Sequence, residues 1–557
     1  MKRLTERFRH FGQDKVVAII LLGCTVVSAL TQPISPFPRD GWFESQYRLF
    51  GRFPGEDNYT PIAAPAVFYR IVHWLALPTG MDLRGEMYLA SVAQNCLLFL
   101  SGCLVYYTCK QVSSRKVACI VAVSFLMFVL SVGLAQAFWS ENVVLVMFSA
   151  VLYLNTKIYY ETADTSRAFW RRATLSSLFT GLLVITRMTP VLLIPGILFL
   201  LYGRLSQKRL ASYAALACLT TALMLGAMLA SNSARFGRPE LTNSSGRHLW
   251  QGVTPIVETT LAGVPEFLEL KALNPKIQWM NWYEMRLPND GRQKFDGEQF
   301  LGRLARQSIR SHPFLYLRLG LTKFFTTIGQ PPRRLGSDVR GSHHLLATDP
   351  LRTDSLLPPL GETVFKLPAF SMIAARHAIA AMFSLGRIIY PIAVFFVLTT
   401  YSVLAVRGAR LSPIPHKRWG RGAGAIKYPQ SWHVLAGILL LGMIYVTNIS
   451  QDRLLIWVVR GLCALVLLLQ VMIIGGCGMA SAGQQPSRDT PDGITYSFLA
   501  FMFFGSLWLS WQVETNNTRN VLPYLPFLSV MLAMALRYWL GAAQPLRSIS
   551  SINRWSC

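Results

Sequence analysis

About twelve stretches of this chain are apolar over roughly the 20 residues that a helix needs to cross a hydrocarbon core. They fall at approximately 16–33, 88–108, 117–137, 141–160, 173–187, 188–203, 210–232, 386–406, 432–449, 454–475, 494–512 and 520–541. In lipid a backbone must satisfy its own N–H and C=O groups, so segments of this length are read as helices. Arg187, Thr189 and Pro190 interrupt 173–203 and divide it into two short segments. The expected fold is therefore an all-α polytopic membrane protein of about twelve transmembrane helices. Composition agrees, with 15% charged residues, 52% apolar residues and a mean hydropathy of +0.36 over 557 residues. A soluble domain carries about 25% charge. These values also exclude a disordered chain, a disulfide-stapled scaffold and a coiled coil.

Lys and Arg total 54 against 27 acids, a formal charge of +27. Such an excess fits nucleic acid, an anionic membrane surface or a phosphate-bearing substrate. The apolar spans select the membrane, and no nucleic-acid partner is expected. Short loops that keep Lys and Arg mark the cytoplasmic side. Lys2, Arg3, Arg7, Arg9 and Lys15 precede the first span, and Lys110, Arg115 and Lys116 follow the second. Lys157, Arg167, Arg171 and Arg172 follow the fourth, Arg204, Lys208 and Arg209 the sixth, and Arg407, Arg410, Lys417, Arg418, Arg421 and Lys427 the eighth. With twelve spans all these loops share one side and both termini are cytoplasmic. The first apolar stretch lacks a small-residue cleavage pattern, so no removable signal is expected. Three units follow: an N-terminal transmembrane module over 1–232 with a far-side first loop at 34–87, a mixed extracytoplasmic loop domain over 233–385, and a C-terminal transmembrane module over 386–557.

Because acids are scarce, their positions carry information. The first far-side loop holds Asp40 and Glu44, four apart, so that one helical turn would put both on one face. Tyr47 and Arg48 follow directly. Glu141 stands at the far-side mouth of the fourth span, beside Trp139, where an acid is costly unless solvated or paired. A structural role competes there, with Ser140 as N-cap and Glu141 complementing the helix dipole. Arg48, Arg187, Arg247, Lys323 and Arg519 face the same mouth and suit a phosphate at a membrane surface. The stretch from Ser311 to Phe325 reads as an interfacial helix that could set Arg318 and Lys323 against lipid phosphates, or as core of the loop domain. Most of the nine cysteines lie in or beside apolar spans and none falls in 233–385, so they read as buried small hydrophobes.

Taken together the pattern resembles the GT-C superfamily of membrane glycosyltransferases, which includes protein O-mannosyltransferases and the aminoarabinose transferase of lipid A. Glu44-Ser-Gln-Tyr47, with Asp40 upstream, is similar to the acid-x-x-Tyr setting these enzymes place after the first span. Glu141 matches their acid opening the fourth span. Arg187-Met-Thr-Pro190, Arg235-Phe-Gly-Arg-Pro with Thr242-Asn-Ser-Ser-Gly246, and Thr518-Arg519-Asn-Val-Leu-Pro523 resemble segments of the fifth span, the entry to the large loop and the opening of the last span. The Asp-Glu dipeptide of the family is missing, since Phe43 precedes Glu44, and the choice between Asp40 and Glu44 as reactive acid stays open.

The resemblance implies a GT-C-like fold and transfer of a sugar from a polyprenyl-phosphate donor to a glycan, lipid or protein acceptor on the non-cytoplasmic face, in a bacterial inner (plasma) membrane. Asp40 or Glu44 would take the acceptor's proton. Glu141 would orient the acceptor or, with Glu44, complete a divalent-cation site, although no metal is firmly assigned. Arg187 and Arg519 would hold the donor phosphate, with Tyr47, Arg48 and Arg247 as further substrate contacts. Three alternatives stand beside it: a lipid-linked glycan ligase or polymerase working through Arg and His of the large loop, His343 and His344 among them; a transporter or flippase for a lipid-linked substrate; and a non-catalytic membrane scaffold, which gives no reason for acids to converge at one mouth.

Overall fold

The computed structural model describes residues 2–34, 63–133, 141–160, 166–186, 193–201, 205–237, 305–316, 358–410 and 524–539, with a few isolated positions between them. Helices make up all the regular structure, and no strand occurs among the described residues. In chain order they are α1 (Lys2–Thr31), α2 (Ala63–Ala76), α3 (Leu83–Val112), α4 (Arg115–Ser131), α5 (Glu141–Tyr160), α6 (Ser166–Thr186), α7 (Leu193–Leu201), α8 (Gln207–Phe236), α9 (Leu360–Thr363), α10 (Ala369–Arg410) and α11 (Leu525–Trp539).

Local sequence chemistry sets several boundaries. The Asp82 carboxylate accepts from Gly85 N at 2.8 Å and caps α3. Ser114 and Ser206 cap α4 and α8 in the same way. Gly237, at φ +71°, closes α8 in the left-handed conformation that glycine adopts without strain. The interruption read at Arg187–Pro190 coincides with the end of α6 at Thr186 and the start of α7 at Leu193. Two features differ from the sequence expectation. The first loop contains the helix α2, and the stretch 386–406 is part of a 42-residue helix that begins at Ala369.

Among the described residues, four helical segments are long and apolar enough to cross a membrane: Asp14–Thr31, Gly85–Val112, Glu141–Tyr160 and Gln207–Ala234. Large apolar side chains point outward from them, with Ile19 66% and Leu223 64% exposed. In water such faces would be an aggregation liability. Facing hydrocarbon they cost nothing, which marks a membrane protein. The segments at 432–449, 454–475 and 494–512 lie outside the described residues, as does most of 233–385. Within the latter, residues 305–311 and 313–316 are helical and Phe314 is 85% exposed.

The core is a bundle centred on α3, which packs against α1, α2, α4, α5 and α11. Val105, Val121, Leu126, Leu145, Phe148 and Met531 are among its fully enclosed members. Short connections make α3 and α4 antiparallel, and α4 and α5 antiparallel, so α3 and α5 run parallel. Their side-chain pairs confirm it. Asn142 pairs with Gln94, and Ser149 with Ser101, both at a sequence offset of 48. The seven-residue step between the two pairs is two helical turns, the repeat of a parallel helix seam. Further along α5, Asn155 Nδ2 donates to Ser176 Oγ at 2.7 Å, and Tyr213 Oη donates to Asn155 Oδ1 at 2.9 Å. This closed triad joins α5, α6 and α8. Gly181 allows the last two to approach: a Cβ there would meet Met224 Sδ at 2.7 Å.

Candidate functional site

The bundle has two chemically distinct ends. At one, where α3 ends and α4 begins, Asp14 accepts from Tyr106 Oη at 2.7 Å and Lys110 Nζ at 2.5 Å, and Arg115 Nε stands 3.4 Å away. At the other end α1 finishes, α4 finishes and α5 begins. There Gln32 Nε2 donates to Ser28 Oγ at 3.0 Å and to the Leu130 carbonyl at 3.2 Å, locking α1 to α4.

Glu141 is the first residue of α5 at this second end and is only 2% exposed. Its position in the first turn sets the carboxyl against the free N–H groups and positive dipole end of α5, which lowers the cost of burying it. The next residue, Asn142, is fully buried and donates its side-chain N–H to Gln94 Oε1 on α3. Ser91 and Asn95 lie on the same stretch of α3, buried, with Asn95 Nδ2 donating to the Ser91 carbonyl at 2.9 Å. The acid thus opens α5 next to a buried patch of amides and hydroxyls. Gln94 Nε2 and Asn95 Oδ1 have no protein partner within that patch. Buried polar atoms of this kind are ordinarily satisfied by something.

Two turns toward the end of the bundle from Gln94, α2 adds a second group of polar residues. His73 Nδ1 lies 3.2 Å from both carboxylate oxygens of Glu86, the two side chains mostly enclosed. Arg70 stacks over Trp74 at 5.4 Å. A small apolar cluster of Ile34, Tyr69, Val72, Met87 and Ala90 holds α2 on α3, and α2 also touches α5 and α6. Glu86, Ala90 and Gln94 follow at intervals of four on α3, so His73–Glu86 and Gln94–Asn142 form one column that descends toward Ser101–Ser149.

No family model matches the chain, and no curated protein or solved structure shows significant similarity to it. The site is therefore argued from its own residues. Of those singled out in the sequence, Glu141 alone falls within the described part. Asp40, Glu44, Tyr47, Arg48, Arg187, Arg247, Lys323, His343, His344 and Arg519 lie outside it. Among the described residues no group of three or more His, Cys, Asp or Glu is close enough to hold a metal ion.

Sequence reasoning passed over Gln94, Asn142, His73, Glu86 and Arg376. A signal was present for the first: Ser91, Gln94 and Asn95 occupy i, i+3 and i+4 within an apolar span, a polar stripe on one helix face. Arg376 of α10 donates Nε to the Thr31 carbonyl at 3.1 Å, and its Nη2 stands 3.6 Å from Glu362. It therefore belongs to the Glu141 end. The six described cysteines are free thiols, with Cys109 buried and Cys96 and Cys218 on outward faces.

Chemically, a buried carboxyl beside fixed amide donors is suited to accepting a proton from a hydroxyl, or to orienting one, without competition from bulk water. The Asp14 cluster is not suited to this, because two cations and a phenol already occupy its oxygens.

Proposed function

We propose that this protein is a polyprenyl-phosphate-sugar-dependent glycosyltransferase of the inner (plasma) membrane, with many transmembrane spans and its active centre on the extracytoplasmic side. The observation that carries the reading is Glu141: a fully enclosed acid opening a membrane-length helix, next to a buried amide pair, at the end of the bundle opposite the Lys110–Arg115 charge cluster. Lys and Arg concentrate on the cytoplasmic side, so Glu141 faces away from the cytoplasm. In this reading Asp40 or Glu44 accepts the proton of the acceptor hydroxyl as it attacks the sugar carbon. The carrier phosphate departs with the bonding electrons of the broken C–O bond, and Arg187 and Arg519 neutralise it. Glu141 orients the acceptor, or shares a divalent cation with Glu44.

Membranes containing the full-length protein would be given radiolabelled polyprenyl-phosphate sugars, and transfer to endogenous acceptor followed. Glu141→Gln and Glu44→Gln should each abolish transfer while leaving protein level and thermal unfolding unchanged. Full transfer by both variants overturns the assignment.

A second reading, transport of a lipid-linked substrate, gains from one observation. The polar pairs Asn142–Gln94 and Ser149–Ser101 on the α3 side of α5, and the Asn155 triad on its α6–α8 side, reach well into the bundle. Each of these groups is uncharged and bonded across to a neighbouring helix, which suits a packing role better than a path. Flipping of a lipid-linked sugar by purified protein in liposomes, without transfer, would favour transport.

A further inference from the structure

The segment between α8 and α10 leaves and rejoins the bundle at the Glu141 end. Tyr213 bonds Ser176, and Met224 lies against Gly181, so α8 runs parallel to α6 and both finish there. α10 enters at the same end, where Arg376 bonds the Thr31 carbonyl of α1. Within this segment residues 302–303, 305–311 and 313–316 are helical. His312 N donates to the Ser308 carbonyl and Tyr316 N to the His312 carbonyl, both at 3.0 Å, so the helical path continues through His312. The two faces of this helix differ. Gly302, Ala305 and Ser308, at steps of three, are enclosed. Arg303, Arg306, Gln307, Arg310, Ser311 and Phe314 are exposed and follow the i, i+3, i+4, i+7 spacing of the opposite face.

The first five of these residues line an open hollow of about 450 Å³. Among the described residues no acid pairs with its three arginines. Three positive charges therefore stand within about 10 Å of helix. Like charges at i, i+3 and i, i+4 weaken a helix, so an anionic neighbour would relieve the stretch. A soluble anion accounts for the arginines alone. It gives no reason for Phe314, 85% exposed, to continue the arginine stripe one turn on, with Leu315 42% exposed beside it. In water these side chains cost free energy, whereas at the boundary of headgroups and hydrocarbon they gain it. Both ends of the segment are tied to one mouth of the bundle, which keeps the helix on the side of one lipid surface. We infer that this helix rests on the membrane at the Glu141 end as a contact for anionic phospholipid, with Arg303, Arg306 and Arg310 on headgroup phosphates and Phe314 at the acyl boundary. Guanidinium groups match phosphate by paired N–H···O bonds, and clustered cations on an amphipathic helix favour an anionic surface. The contact is independent of sugar transfer and of any polyprenyl carrier.

Full-length protein in nanodiscs would be exposed to phosphatidylglycerol or phosphatidylcholine carrying a photoreactive headgroup, and the crosslinked peptides mapped. Labelling of the transmembrane helices serves as the internal reference. Phosphatidylglycerol should label the peptide from Arg303 to Phe314 in preference to phosphatidylcholine. Arg303→Gln, Arg306→Gln and Arg310→Gln should each cut that labelling about fivefold, the attraction of one cation to an anionic surface. Arg303→Lys, Arg306→Lys and Arg310→Lys combined keep the charge and should retain most of the labelling. Phe314→Ser should lower it, with the transmembrane helices labelled as before. All four side chains are exposed, so these changes leave the enclosed face of the helix untouched. Equal labelling by the two lipids, no label on this peptide, or undiminished labelling in the triple Gln variant each overturns the contact. So does loss of the label to millimolar inorganic pyrophosphate at unchanged lipid composition, which would make a soluble polyanion the occupant.

Discussion

At one end of the bundle Asp14 meets Tyr106, Lys110 and Arg115, whereas at the other Glu141 is enclosed beside the amides of Gln94 and Asn142. Both acids belong to apolar, membrane-length segments, and hydropathy treats them alike. What separates them is the company they keep. Two cations offset the charge of Asp14, and the cluster pins α1 to the α3–α4 turn. Glu141 opens α5, and the neighbouring Asn142–Gln94 pair joins α5 to α3. A carboxyl buried at a helix start beside a polar patch is a candidate for chemistry.

The sharpest way to break this contrast is to neutralise each acid isosterically. Glu141→Gln should lower sugar transfer by at least about 100-fold, the lower range for losing a positioned proton-transfer or orienting group. Unfolding, followed by loss of intrinsic fluorescence on heating, should be unchanged. Asp14→Asn should do the reverse, leaving transfer within about twofold while costing on the order of 1–2 kcal/mol of stability, because Lys110 and Tyr106 lose a charged acceptor. Equal activity losses in the two variants would remove the distinction between the ends.

Much of the fold was legible because helix length and capping are local. The break between α6 and α7 follows from Arg187-Met-Thr-Pro190, whereas α3, read from its apolar run as 88–108, begins earlier at Leu83 behind the Asp82 cap. The pairing of α3 with α5 was not legible. Periodicity shows that Ser91, Gln94 and Asn95 share a face but says nothing of which helix meets it. Nor was α2, whose 14 residues are too short to register as a span and whose apolar face is covered only when Met87 and Ala90 come to it. Arg376 escaped notice because its partners, Thr31 and Glu362, come from separate parts of the chain. Glu141 was found since a lone acid in an apolar segment is a local anomaly.

An intermediate effect is expected midway along α5. Tyr213 is fully buried and bonds both Asn155 and Ser176. Tyr213→Phe keeps the ring packing and removes the hydroxyl, leaving Asn155 Oδ1 without its donor, at a cost of about 1–3 kcal/mol. Sugar transfer should follow stability alone, with normal activity well below the melting temperature. A selective loss of activity there would extend the functional region from the Glu141 end to the α6–α8 side of α5 and favour the transport reading.

The smallest effect tests whether the polar column contributes energy or only register. Ser149 Oγ donates to the Leu145 carbonyl at 2.8 Å, which leaves Ser101 as the donor in the 2.7 Å contact between the two hydroxyls. Replacing Ser149 by Ala deprives Ser101 of its acceptor, and replacing Ser101 by Ala leaves Ser149 still bonded within its own helix. The two single substitutions should therefore be unequal, with Ser149→Ala the costlier. The double substitution should be milder than their sum, with a coupling of about 0.6 kcal/mol, typical of hydrogen bonds between membrane helices. Unfolding of all four proteins in one detergent gives the cycle. Zero coupling would mean that the parallel α3–α5 seam is held by side-chain packing alone. The Asn142–Gln94 pair beside Glu141 would then be the stronger candidate for a role in positioning that acid, because its amides would have no structural work at the next step of the same seam.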